Sequence, residues 1–112
     1  MISKSLVAAS SKPLLLTILS WGESYGYEII QRVADLSGGV LEWSDGMLYP
    51  VLYKLEKDGL VQSSWRMEEG ARPRKYYSIT KKGQEELVQE KAHWINVNEV
   101  LQTVWNMKPS VS

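Results

Sequence analysis

The chain has 112 residues, 44% hydrophobic and 23% charged, and its 13 basic and 13 acidic side chains balance to a formal net charge of zero. That length suits one domain with a modest core, and neutrality means that attraction to a charged partner must come from local patches. The absence of cysteine removes disulfides and thiolate chemistry and fits a cytoplasmic home; the apolar run "PLLLTIL" is core-helix sized rather than membrane-sized, and no secretory pattern opens the chain.

Taken in chain order, Ser11 is placed to cap a first helix with Pro13 in its first turn, where a missing N–H is harmless. Residues 1–10 leave room for an extra helical turn ahead of it. Leu15, Leu16, Ile18 and Leu19 supply a buried face, and Gly22 ends the helix. A second helix spans about 25–37, with Ile29, Ile30, Val33 and Leu36 at helical spacing and "SGG" as its stop. A third runs from Ser44 or Asp45 to Asp58, with a stripe of Leu48, Leu52 and Leu55, Val51 beside it, and Gly59 at its end. "LVQSSWRM" and "RKYYSI" read as strands joined by the loop "EEGARP". Thr80 caps a final helix over about 81–105, and the tail after it reads as disordered.

This order predicts a mainly α protein with a β-hairpin wing. Residues 1–80 form a winged helix-turn-helix, 81–106 a C-terminal dimerisation helix and 107–112 a tail. Arg72, Arg74, Lys75, Lys81 and Lys82 fall within eleven residues that contain no acid. Ile79 must point into the core, so Tyr77 and Lys75 share its side while Arg74, Tyr76 and Ser78 face outward. Lys81 and Lys82 oppose the dipole of the helix they open, which points to an anion nearby. The plainer alternative is a solvated strand edge kept soluble by its charge.

The third helix carries Met47, Tyr49, Pro50, Tyr53, Lys54 and Lys57 on its other face, residue types suited to phosphate and base-edge contact. Pro50 removes a backbone hydrogen bond to the residue-46 carbonyl, so the helix starts either at its cap or nearer Tyr49. "DGMLYPVLYKLEKDGL" and "ARPRKYYSITKKG", with "YGYEIIQRV" upstream, resemble the PadR-like transcriptional regulators from about Leu14 to Gly83. Met47 departs from the Thr common there, which bears on base preference, and Ala71 from a common Gly, which would stiffen the wing. The resemblance implies a dimeric repressor with its recognition helix in the major groove and its wing at the minor groove or backbone. By position, Ser44, Met47, Tyr49, Pro50, Tyr53 and Lys54 would meet DNA from the helix, and Arg72, Arg74 and Lys75 from the wing. Tyr49 has an alternative role in packing.

In the last helix Leu87, Trp94 and Leu101 recur at seven-residue spacing, Val97 and Val104 complete the seam, and Val88, Ile95 and Trp105 widen it. A small body cannot cover this stripe alone, so dimerisation through Leu87, Trp94, Leu101 and Val104 is the economical reading. Trp94 is either interface core or the wall of a cleft for a flat aromatic compound. The resemblance favours the cleft, because members of the family respond to phenolic acids or aromatic drugs. Val97, Asn98, Leu6 and Ala9 would complete it. No cofactor is expected. The single His93 and the lack of cysteine give no metal site, and no phosphate loop, carboxylate pair or nucleophile elbow suggests an enzyme. The competing function is a winged helix that contacts protein and not DNA.

Overall fold

The computed structural model describes residues 3–67, 70 and 72–109. The elements are α1 (Lys4–Ser20), β1 (Ser24–Tyr25), α2 (Gly26–Leu36), α3 (Asp45–Lys57), β2 (Val61–Arg66), β3 (Arg74–Ile79) and α4 (Lys81–Trp105). The expectations for Ala71 and for 110–112 lie outside the described residues.

α1 differs from its expected start. Its cap is Ser3, whose Oγ accepts from the Leu6 N–H at 3.3 Å, and Pro13 sits inside the helix. The reason is local. The hydroxyls of Ser10 and Ser11 donate back to the carbonyls of Val7 and Ala8, at 3.1 and 2.7 Å, so both serines are helical residues rather than caps. Leu15, Leu16, Ile18 and Leu19 are buried as the sequence requires.

The sheet is antiparallel in the order β1-β3-β2. β2 and β3 form the expected hairpin, with Val61 opposite Ile79 and Arg66 opposite Arg74. β1 is an unexpected third strand, placing Ser24 opposite Tyr77 and Tyr25 opposite Tyr76. The buried Ser24 hydroxyl donates to Glu28 Oε1 at 2.6 Å, which locks β1 onto the first turn of α2. Tyr77 points into the core and Arg74 is exposed, as alternation demands.

The core joins the α1 leucines to Ile29 and Val33 of α2, Leu48, Leu52 and Leu55 of α3, and Leu60, Val61 and Tyr77 of the sheet. A set of bonds staples the α3–β2 turn to the start of α4. Thr80 N–H donates to the Leu60 carbonyl at 3.0 Å, its hydroxyl donates to the Gly59 carbonyl at 2.7 Å, and Lys82 Nζ donates to the Asp58 carbonyl at 2.9 Å. The turn itself needs Gly59, whose φ of +77° lies where a side chain is strained. Lys82 thereby sits at the negative end of α3, which explains its tolerance at the positive end of α4 without an external anion.

α4 packs against α1 only along its N-terminal half, where Lys12 bridges Glu86 at 2.9 Å and Glu90 at 3.2 Å. Leu87 is 4% exposed and belongs to this core, unlike the rest of the expected dimer seam. Beyond residue 90 the helix leaves the body, with every residue exposed, and the molecule reaches 72 Å along its longest axis.

Candidate nucleic-acid interface

α3 is held from behind by Leu48, Leu52 and Leu55, so its opposite face is presented to solvent. The helix begins at Asp45 and continues through Pro50. The carbonyl of the extended cap residue Ser44 accepts from the N–H groups of Met47 and Leu48 at 3.1 and 3.0 Å. Tyr53 is 69% exposed, and Ser44, Pro50 and Lys54 are open to solvent with it. Lys54 lies 4.0 Å from Asp58, a long contact that leaves its ammonium available.

Tyr49 is half-exposed, with its hydroxyl end against Gly26 at the start of α2. A Cβ at position 26 would overlap that hydroxyl and lie 2.9 Å from the ring's Cζ. Tyr49 therefore both packs across the helix-turn-helix and shows an edge to the outside. Met47 lines a cavity of about 250 Å³ behind the helix with Val7, Ala8, Ser11, Trp43 and Val51, on the α1 side. The Trp43 indole N–H is buried there without a hydrogen-bond partner among the described residues.

Across from α3 stands the wing. Arg72 and Arg74 are exposed. Lys75 turns inward: its ammonium lies 3.9 Å from Glu56 and 5.6 Å from the centre of the Tyr77 ring. Burial chiefly, helped by Glu56 and Tyr49, raises the Tyr77 phenol above its ordinary range. Between helix and wing runs an open groove of about 510 Å³ lined by Tyr25, Gly26, Tyr27, Tyr49, Trp65, Pro73, Arg74, Lys75 and Tyr77.

The fold thus brings Tyr49, Arg74 and Lys75 to one groove, with Tyr53 and Lys54 further along α3. Trp65, 68% exposed on β2, and Tyr25 on β1 belong to the same surface and escape a sequence reading. An exposed Trp opposite Lys75 in an alternating strand is the signal that could have found the first. The residues expected at an effector lie elsewhere. Trp94, Val97 and Asn98 occupy the free part of α4, and Leu6 and Ala9 the start of α1, all exposed.

The model of the transcriptional regulator PadR-like family matches residues 15–89. A transcriptional regulator from Clostridium thermocellum superposes with a TM-score of 0.84 at 27% identity, covering 92% of this chain and 97% of that one. A PadR family regulator from Eggerthella lenta gives 0.82 at 28% identity, covering 93% and 88%. The Escherichia coli (strain K12) transcriptional regulator YqjI is 33% identical over 85 residues, 76% of this chain but 35% of that longer protein. With its recognition helix, wing and long last helix in place, the chain belongs to the PadR-like family of transcriptional regulators.

Proposed function

We propose that the protein is a homodimeric, cytoplasmic repressor that binds a duplex operator through α3 and the wing and is released by a small aromatic ligand. The observation that carries the DNA-binding part is the open groove between Tyr49 on α3 and Arg74 on the wing, continuous with exposed Tyr53, Lys54 and Arg72. In this reading the N-terminal part of α3 enters the major groove, with Ser44, Tyr49, Pro50 and Tyr53 nearest the bases and Met47 at its inner edge. Lys54, Arg72 and Arg74 meet phosphates, and Lys75 joins them by leaving Glu56.

Dimerisation is supported by α4. Trp94, Ile95, Val97, Leu101, Val104 and Trp105 are all exposed on a helix with no cover from its own body. A twofold axis through this seam supplies the second recognition helix that a palindromic site needs. The effector would enter where Trp94, Val97 and Asn98 of one α4 meet their copies, near Leu6 and Ala9 of α1. A flat aromatic ring suits two facing indoles.

The test is a mobility shift with DNA from upstream of its own coding sequence, using wild type and the double charge reversal Arg72→Glu, Arg74→Glu. Loss of the shift in the folded variant supports the reading; an unchanged shift rejects the wing, and no shift in either favours a protein-contact role. Quenching of tryptophan fluorescence by phenolic and polyaromatic compounds, lost in Trp94→Leu, tests the effector.

A further inference from the structure

The outer face of the sheet carries a line of contacts that DNA binding alone does not require. Glu23, just ahead of β1, is ion-paired with Arg66 at the end of β2. The Arg66 guanidinium lies 4.6 Å from the centre of the Tyr76 ring. Tyr76 meets Tyr25 edge to face at 5.3 Å, with 65° between the ring planes. Arg74 closes the line, its guanidinium 4.5 Å from the centre of the Tyr25 ring.

Arg66 and Arg74 are direct cross-strand partners, an arrangement in which like charges repel. Each guanidinium instead finds its own partner on the β1 side of the sheet. Glu23 neutralises Arg66, while the negative face of Tyr25 draws Arg74 across β3 toward β1. Tyr25 is itself fixed, since it pairs with Tyr76 and follows Ser24, whose hydroxyl is tied to Glu28. Tyr25 and Arg74 both line the groove beside the start of α2 and Tyr49. An arginine held there before DNA arrives loses less side-chain freedom on binding.

We propose that Tyr25 is a positioning residue for DNA: its ring holds the Arg74 guanidinium at the groove, so that the wing offers a pre-ordered cation to a backbone phosphate. This rests on the DNA-binding reading above. Its phosphate specificity comes from Arg74; Tyr25 acts through it and need not touch the duplex.

A double-mutant cycle tests it, with wild type, Tyr25→Leu, Arg74→Ala and the double variant titrated against one operator duplex at several salt concentrations. Arg74→Ala weakens binding and lowers the salt slope by about one. Tyr25→Leu weakens it roughly two- to fivefold, Tyr25→Phe restores wild-type affinity, and the double variant binds no more weakly than Arg74→Ala. In free wild type, ring current from Tyr25 shifts the Arg74 side-chain protons upfield in the NMR spectrum. That measurement stands even if Tyr25→Leu fails to fold, and its absence overturns the proposal. So does a Tyr25→Leu defect that persists undiminished without Arg74, or a Tyr25→Leu protein that binds as wild type does. A silent Arg74→Ala in a tightly binding protein overturns it too, whereas wild type that prefers no duplex overturns the reading beneath it.

Discussion

Gly83→Ala, a substitution that ordinarily strengthens a helix, should here be among the most damaging in the chain. Gly83 lies in the first turn of α4 and its N–H caps onto Thr80 Oγ1 at 3.0 Å. A Cβ added there would overlap the Leu60 carbonyl oxygen, lie 3.0 Å from the carbonyl carbon and 2.7 Å from Ile79 Cγ1. The Leu60 carbonyl cannot retreat freely, because it accepts the Thr80 N–H and the neighbouring Gly59 carbonyl accepts the Thr80 hydroxyl. α4 must instead lift by about an ångström to reach ordinary contact. Overpacking costs about 1–3 kcal/mol, and weakening two hydrogen bonds adds about 1–3 kcal/mol. Helix propensity returns about 1 kcal/mol. The net is a destabilisation of roughly 1–5 kcal/mol, or a fall in Tm on the order of 4–20 °C for a domain of this size. Urea and thermal melts at fixed protein concentration measure it. A change below about 1 kcal/mol would refute the reasoning, since it would mean that the junction yields without loss.

Other expectations follow from the same contacts. Gly26→Ala drives the Cβ into the Tyr49 hydroxyl, but a half-exposed side chain can swing aside. Stability should then change by less than about 1 kcal/mol while operator binding weakens by about 1–3 kcal/mol, as for a lost base contact; unchanged affinity would show that the placement of Tyr49 is irrelevant. The Lys12 hydrogen bond holds the Glu86 carboxyl below its ordinary range, so the pair's stabilisation is present above the unfolded carboxylate value and fades as pH falls through the lowered one. Glu86→Gln should therefore be less stable than wild type near pH 7, with the deficit shrinking in urea melts as the pH is taken down past the unfolded carboxylate value; a deficit that does not shrink would remove the linkage. The same bond holds Lys12 above its ordinary value, so its contribution disappears only when pH rises past that raised value. Leu101→Glu places a charge on the free seam of α4 without touching the core. Sedimentation should show the proposed dimer for wild type and monomer for the variant; a dimer unaltered by the substitution would move the interface elsewhere.

Most of the architecture is legible in the sequence because its signals are local. The Leu48, Leu52 and Leu55 stripe, the positive-φ Gly59 and the Thr80 cap place α3, the hairpin and α4 where the structure has them. β1 is not legible, because two residues carry no period and the strand exists only through its pairing with β3. The start of α1 misleads because Ser11 beside Pro13 is a good capping pattern, yet the Ser11 hydroxyl bonds backward to Ala8. The orientations of Lys75 and Lys82 depend on Glu56 and on the Asp58 carbonyl, partners that sequence alone does not bring near. Leu87 fits the heptad seam of α4 and the core equally well, and the packing of α1 decides for the core.

In the function proposed here, a neutral molecule reads duplex DNA through one built surface, the α3–wing groove. Labelled DNA from its own promoter, titrated at two salt concentrations with random duplex as competitor, tests this. Tight binding that resists the competitor and weakens with salt, by a slope set by a few phosphate contacts from Lys54, Arg72, Arg74 and Lys75, is expected. Binding no tighter than to random duplex, at either salt concentration, would contradict it.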